Sequence, residues 1–576
     1  MASIQTLLLG RHAAAVQAGL EHLHAQRFFQ RLWDKDTSLW TSDPSAQASI
    51  RNRLGWLTIP KVMAGETASL RQFAQAVHGA GFTHALLLGM GGSGLFSEVC
   101  RNTFGVTAKH LELTVLDTTD PTAIRAAGGQ CPLKQLFAIV SSKSGATSEV
   151  SALSTYFYDV FKADGDPGAH CIAITDAGTP LEAQATSWKF RRSFVHDPNS
   201  GADVGGRFSA LTYFGLVPAA LIGVDTERLL KSAIEMLEQC GPNRSLQDNP
   251  AAAIGAVLGA LVKTGRDKMT LLCTPPLESF GAWVEQLVAE STGKSGQGIA
   301  PLIGEPLREP GAYGSDRVFV ELQLACAMDP ALDRMVLALA DAGHPVIRIH
   351  WQDRYDLGGE VVKWSLATTT AGSLMGINPF DEPNVQESKD RTKALLAQYA
   401  RDRDFPQEPA LLTNGDVSVY GSLKTKAPGS LAPCLSDWLQ QARSNDYVAI
   451  LSFLPRTASL DGAVRAMRNN IATAIGHATM IGVGPRYLHS TGQLFKGGPD
   501  AGLFLLLTND EAQDLSIPGE PFTFGVLKYA QALGDFQAMQ QKGRRVLHIH
   551  LTGDLERATQ RLMSALNEDV ASVAKR

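Results

Sequence analysis

The sequence predicts an α/β protein built on parallel sheets: two doubly wound units followed by a C-terminal α/β region. Three observations point there. The apolar runs at 85–88, 136–140 and 170–175 are continuous rather than alternating, as strands covered on both faces should be. Each run breaks at a Gly-, Ser- or Thr-rich loop and then enters a helical pattern, the order that feeds a parallel sheet. Finally, 576 residues, 44% of them hydrophobic, exceed what one core organises.

Residues 1–60 carry helical apolar spacing interleaved with charge, and the N-terminus (MASIQTLLLGRHAAAVQAGL) reads as an amphipathic helix without a cleavage-site pattern. A first unit is expected over 61–245. Its strand at 85–88 breaks at Gly89-Met-Gly-Gly-Ser-Gly94, and its strand at 136–140 breaks at Ser141-Ser-Lys-Ser-Gly-Ala-Thr-Ser-Glu149. A second unit over 246–400 has strands near 268–273, 317–322 and 345–350. Residues 401–446 mix Pro, Gly, Ser and charge without periodicity and read as a linker or long excursion. The region 447–576 then adds strands near 447–451, 502–507 and 545–550. Residues 343–350 (GHPVIRIH) resemble 543–550 (GRRVLHIH), and 380–386 has a looser echo in 522–528. Duplication and shared strand grammar both explain such echoes.

Bulk properties narrow the chemistry. A net charge of −5 argues against a broad nucleic-acid surface. Seven cysteines, odd in number and without a CxxC pair, read as reduced core thiols rather than a disulfide framework or zinc site. The longest uncharged stretch, 208–224, contains Gly215 and Pro218 and reads as buried helix rather than a membrane span. A cytoplasmic protein is expected.

The two Ser/Gly loops each place backbone N–H groups at a helix N-terminus, which binds an anion without a formal positive charge. Ser142, Ser144 and Thr147 would converge on a phosphate, with Ser93 approaching from the neighbouring loop and Gly91 and Gly92 letting the backbone come close. No Gly-Lys-Ser/Thr follows the first loop, and its glycines miss the dinucleotide spacing. Asp203-Val-Gly-Gly-Arg-Phe-Ser209 is a compact turn whose Gly206 and Arg207 suit a ligand oxyanion. Glu290, in Glu-Ser-Thr-Gly-Lys294, is an isolated carboxylate beside a glycine turn, and Lys389 ends the segment 380–389.

These five segments, taken in order, resemble the phosphoglucose isomerase family over roughly residues 60–400. The stretch Leu488-His-Ser-Thr-Gly-Gln-Leu-Phe-Lys-Gly-Gly-Pro499 looks like the isomerase portion of fused transaldolase/glucose-6-phosphate isomerase proteins, and isomerase activity alone is expected. The resemblance implies two SIS-type sugar-phosphate-binding domains and interconversion of glucose 6-phosphate and fructose 6-phosphate, with no cofactor or metal. It matches Glu290 to the base that moves a proton between C2 and C1, and Arg207 to the arginine beside the enediolate. It matches Ser93, Ser142, Lys143, Ser144 and Thr147 to the phosphate loops, and Lys389 to the lysine at the ring-opening end. Gln493 joins Gly91, Gly92 and Gly206 as a substrate contact. A homodimer sharing residues between subunits is implied, unless the C-terminal region supplies those contacts within one chain.

The residue types suit that chemistry. A positioned carboxylate supplies general-base catalysis worth about 10²–10⁴-fold, and a fixed guanidinium stabilises the developing enediolate oxygen. One departure stands out: Arg317 occupies the place of the family's ring-opening histidine. His489 is the substitute candidate, since imidazole transfers protons near neutral pH. His344 and His350 read as core or strand-end residues, and Trp283 and Trp364 as core residues. Lys294 reads as ordering its own turn, and Lys496 as facing either substrate or solvent. Two other readings stay open: an isomerase of another sugar phosphate (mannose 6-phosphate or an amino-sugar phosphate), and a non-catalytic sugar-phosphate sensor.

Overall fold

A computed structural model describes residues 3–197, 203–406, 408–423 and 429–573. The chain opens not with a helix but with strand β1 (Ile4–Leu8), and the first long helix is Ala13–Ala25. Backbone pairing with a strand some 340 positions later in the chain overrides the helical spacing here: β1 runs antiparallel along Val346–His350.

The first unit holds β2 (His84–Gly89), β3 (Glu112–Leu116), β4 (Leu136–Ser141), β5 (Cys171–Asp176) and β6 (Arg192–His196), all parallel, in the order β3-β2-β4-β5-β6. Its central strands feed two cores. Leu87 and Ile139 point into one apolar cluster, while Leu86, Leu88, Ala138 and Val140 point into another. That is why the sequence shows no alternation.

The second sheet takes β7 (Lys268–Cys273), β8 (Ala300–Ile303), β9 (Arg317–Leu324) and β10 (Val346–Trp351), ordered β1-β10-β9-β7-β8. The third takes β11 (Leu412–Asn414), β12 (Val417–Gly421), β13 (Tyr447–Ser452), β14 (Ala478–Val483), β15 (Gly502–Asn509) and β16 (Arg545–Leu551), ordered β11-β12-β16-β15-β13-β14. All three share one plan. The first parallel strand lies between the second and third, and the fourth lies beyond the third. The echo between 343–350 and 543–550 falls on β10 and β16, the fourth strand of each sheet. Each is flanked by an antiparallel strand, β1 or β12.

The excursion expected over 401–446 carries elements of its own. Strands β11 and β12 form a short hairpin on the third sheet, and the helix Leu431–Leu439 packs Cys434, Leu435 and Trp438 into that unit's core. Strands of three and five residues are too short for alternation to be legible.

The third unit is not loosely tethered. One apolar cluster runs from Leu88 and Val140, through Leu153 and Phe157, to Tyr447, Leu506, Phe524 and Phe536. Residues 208–224 form a turn and the buried helix Tyr213–Leu221, and no described helix is long and apolar enough to cross a membrane. All seven cysteines are free.

Candidate active site

In a sheet of this order, the crevice forms where the connections from adjacent strands diverge, at the C-terminal ends of β2 and β4 in the first unit. Both Ser/Gly loops start there. Ser141 Oγ donates to Ser93 O at 2.9 Å and ties them together. Ser142 Oγ and Thr147 Oγ1 lie 3.1 Å apart, and with Gly145 they share the wall of a cavity of about 220 Å³. Ser144 is exposed, accepting only from Ala146 N. Thr147 precedes the helix Ser148–Phe161, whose positive end faces the loop. Lys143 does not point at this nest. Its Nζ is 2.5 Å from Asp176 and 2.9 Å from Asp203, so it joins the loop to the arginine turn.

That turn is pressed against the first loop. A Cβ on Gly92 would lie 2.1 Å from Gly206 O, and one on Gly91 would lie 2.8 Å from His489 O. Only bare backbone fits between these segments. Arg207 follows at once, 3% exposed. Its Nε donates to Ser291 Oγ (2.8 Å), and Nη2 donates to Pro379 O (2.7 Å) and Asp381 O (3.1 Å). Its Nη1 stands 3.0 Å from Glu382 Oε2 and 3.4 Å from Glu290 Oε1.

Glu290 lies on the buried helix Glu278–Thr292, which leaves β7. One turn earlier, Gln286 Nε2 donates to Glu290 Oε2 at 3.3 Å and to His489 O at 2.8 Å. Burial raises the Glu290 carboxyl above the ordinary range. Arg207 opposes that shift and the Glu382 charge adds to it. Lys294, just past the helix, donates to Asp381, so it ties its turn to the neighbouring one. Burial and the Arg207 charge bring its ammonium down to about 8.

His489 comes from the third unit, on the turn Arg486–His489. Its Nε2 is 2.8 Å from Glu149 Oε1, at the end of the first-unit loop. Gln531, on the helix Phe524–Gln541, donates to the same oxygen at 2.7 Å and accepts from Thr119 at 3.0 Å. Burial alone would push the Glu149 carboxyl up, but His489, with a smaller pull from Lys389, holds it below the usual range. Lys389 is exposed on the helix Pro383–Asp402. Arg486 anchors the histidine turn, with Nε 3.1 Å from Asp117 and Nη2 donating to Glu98. Lys528 adds a second tie to Asp120 at 2.9 Å.

Several expected residues have structural partners instead. Gln493 is fully buried, donating to Gly293 O and Asn384 Oδ1 at 2.9 Å and accepting from Asn384 N, so its amide is saturated by protein. Lys496 faces neither substrate nor solvent: Nζ donates to Asp535 at 2.6 Å, with neither side chain exposed. Arg317 is a core residue, 2.6 Å from Glu305. His350, with Glu321 and Asp333, has metal-ligand spacing. The Arg348 guanidinium already bridges the two carboxylates, so that trio is an ion-pair network. Sequence reasoning passed over Gln286, Glu382, Gln531 and the pairing role of Glu149. Gln286 had a signal, sitting four residues before Glu290 and so on the same helix face. Gln531 had none.

No family model matches the chain. It is 28% identical over 302 residues to a glucose-6-phosphate isomerase of Enterococcus faecalis, a match covering 45% of this chain and 66% of that one. It is 25% identical over 474 residues to a glucose-6-phosphate isomerase of Prochlorococcus marinus, covering 75% and 85%. A third relative so named, from Geobacter sp. (strain M21), is 33% identical over 240 residues, covering 39% and 44%. Among solved structures, a glucose-6-phosphate isomerase from Chlamydia trachomatis aligns with a TM-score of 0.58 at 16% identity, covering 67% of this chain and 86% of that one. A hypothetical protein from Thermus thermophilus aligns with a TM-score of 0.57 at 22% identity, covering 68% and 100%. Both show likeness of fold.

Proposed function

We propose that this chain, as a relative of the phosphoglucose isomerases, interconverts glucose 6-phosphate and fructose 6-phosphate. The observation that carries the reading is the pairing of Glu290 with Arg207 and of His489 with Glu149, with Gln286 bonded to both Glu290 and His489. An aldose–ketose shift needs a base for the C2 and C1 protons, a cation for the enediolate oxygen and a group that moves the ring-oxygen proton. Glu290, Arg207 and His489 fill those roles. The Ser93 and Ser142–Thr147 loops hold the phosphate, so remote binding keeps C1 and C2 over the base. Lys389 borders the histidine side, where the ring opens.

His489 belongs to the same chain as Glu290, so one chain carries both halves of the site. The homodimer implied by family resemblance is then not needed to complete it. Because sugar phosphates are charged and do not cross bilayers unaided, the reading puts the enzyme in the cytoplasm.

A coupled assay with purified protein and fructose 6-phosphate tests the reading. Turnover is expected, with specific activity constant on dilution while light scattering follows the oligomeric state. Retained sugar-phosphate binding without turnover would favour the sensor, and activity on mannose 6-phosphate alone would favour the other isomerase.

A further inference from the structure

Arg207 has two carboxylates on one nitrogen, and the base has the weaker hold. Nη1 is 3.0 Å from Glu382 Oε2 but 3.4 Å from Glu290 Oε1. The rest of the guanidinium is fixed by Ser291, Pro379 and Asp381, so Nη1 is the nitrogen the two carboxylates share, and Glu382 takes the shorter contact. Glu382 is itself held by Arg53, whose Nη1 is 3.1 Å from Oε2.

Glu382 has no local work that explains this orientation. It is the residue before the helix Pro383–Asp402, a position whose side chain commonly caps its own helix. Here it makes no capping bond and points to the two arginines. The cost of losing it would therefore fall on the arginines and the base.

We propose that Glu382 is a positioning residue that competes with Glu290 for Arg207 and so keeps the base from being locked into a buried ion pair. This rests on the isomerase reading and deepens it. A carboxylate fully paired with a buried guanidinium is ionised but a poor proton acceptor. One with its partner drawn aside, beside a second negative charge, is a better one. The groups facing Glu290 are Arg207 from the glycine turn, Glu382 from the segment before its helix, Lys294 from the end of its own helix, and His489 from the third unit. Burial pushes the Glu382 carboxyl up, but Arg207 and Arg53 outweigh it and hold it below the usual range, so Glu290 is the more readily protonated of the two.

The test is the pH dependence of kcat/KM in Glu382→Gln and Arg53→Gln, beside the labelling of Glu290 by a water-soluble carbodiimide and an amine, read by peptide mass spectrometry across the same pH range. Removing the Glu382 charge should move the acid limb and the Glu290 labelling midpoint down by about one pH unit. Arg53→Gln leaves Glu382 uncompensated and should move both upward. A merely structural role would lower kcat or the melting temperature and leave both midpoints in place, which would overturn the proposal. If the wild type turns over no sugar phosphate while the labelling midpoint still shifts as described, the isomerase reading fails and the role of Glu382 stands.

Discussion

Glu290 and Glu149 are both buried carboxylates, linked through Gln286 and His489, and burial pushes both up, yet their charged neighbours leave one raised and the other lowered. Glu290 sits in an apolar helix with its arginine drawn toward a second carboxylate, and its carboxyl is raised. Glu149 is pinned by a histidine and a glutamine amide, and its carboxyl is lowered. Two acids of one type separated in this way mark out different work. On the proposed isomerase reading, the raised one is the group to take and return a proton, and the lowered one the group to orient the imidazole assigned to the ring oxygen.

The sharpest way to break this contrast is on the Glu290 side. Glu290→Gln should lower kcat by about 10²–10⁴-fold, while the affinity for a phosphate-bearing competitive inhibitor changes only a few-fold. Equal loss of both would make Glu290 a binding residue. On the other side, His489→Ala should cost about 10²-fold on the ring form of the substrate and much less on an open-chain analogue. Parallel losses on the two substrates would remove His489 from ring opening.

Gly92→Ala probes the seam joining the two sides. A Cβ there would meet Gly206 O, so the first loop and the Arg207 turn must part. A displacement of about 1 Å costs about 10²-fold in kcat/KM; an unaffected rate would show that the close approach positions nothing.

The smallest effect is on stability, and its sign differs between the two acids. Glu290 has a raised folded-state pKa. Its contribution is fully present below the unfolded value of 4.5 and is lost as pH rises through the folded one. Glu149 has a depressed folded-state pKa, so its contribution is present above 4.5 and lost as pH falls through the folded value. Melting curves should therefore show Glu290→Gln gaining on wild type toward neutral pH, and Glu149→Gln flattening the decline below pH 4.5. The same sign in both variants would contradict the assignment.

The sheets were legible because continuous apolar runs and glycine breaks are local signals. The repeat of strand order from unit to unit was not, since β3, β6, β8 and β14 carry no motif. In the site, Glu290, Arg207, Ser142 and His489 could be named because each lies beside glycines or hydroxyls that mark a functional turn. Lys143, Gln493 and Lys496 sit in the same turns, yet their side chains leave for Asp176, Gly293 and Asp535. Direction of departure is a tertiary property. Glu149 needed a partner 340 residues away before its role emerged, and no spacing rule reaches that far.

The measurement that bears most directly on the account is isomerisation of fructose 6-phosphate in deuterated water, followed by deuterium content at C2 of the glucose 6-phosphate formed. A carboxylate that lifts a proton and returns it lets part of that proton exchange with solvent. Deuterium should therefore appear in the wild-type product at early conversion, and Glu290→Gln should form product and label about 10²–10⁴-fold more slowly. Undiminished turnover and deuterium incorporation by the variant would contradict the assignment of Glu290 as the base.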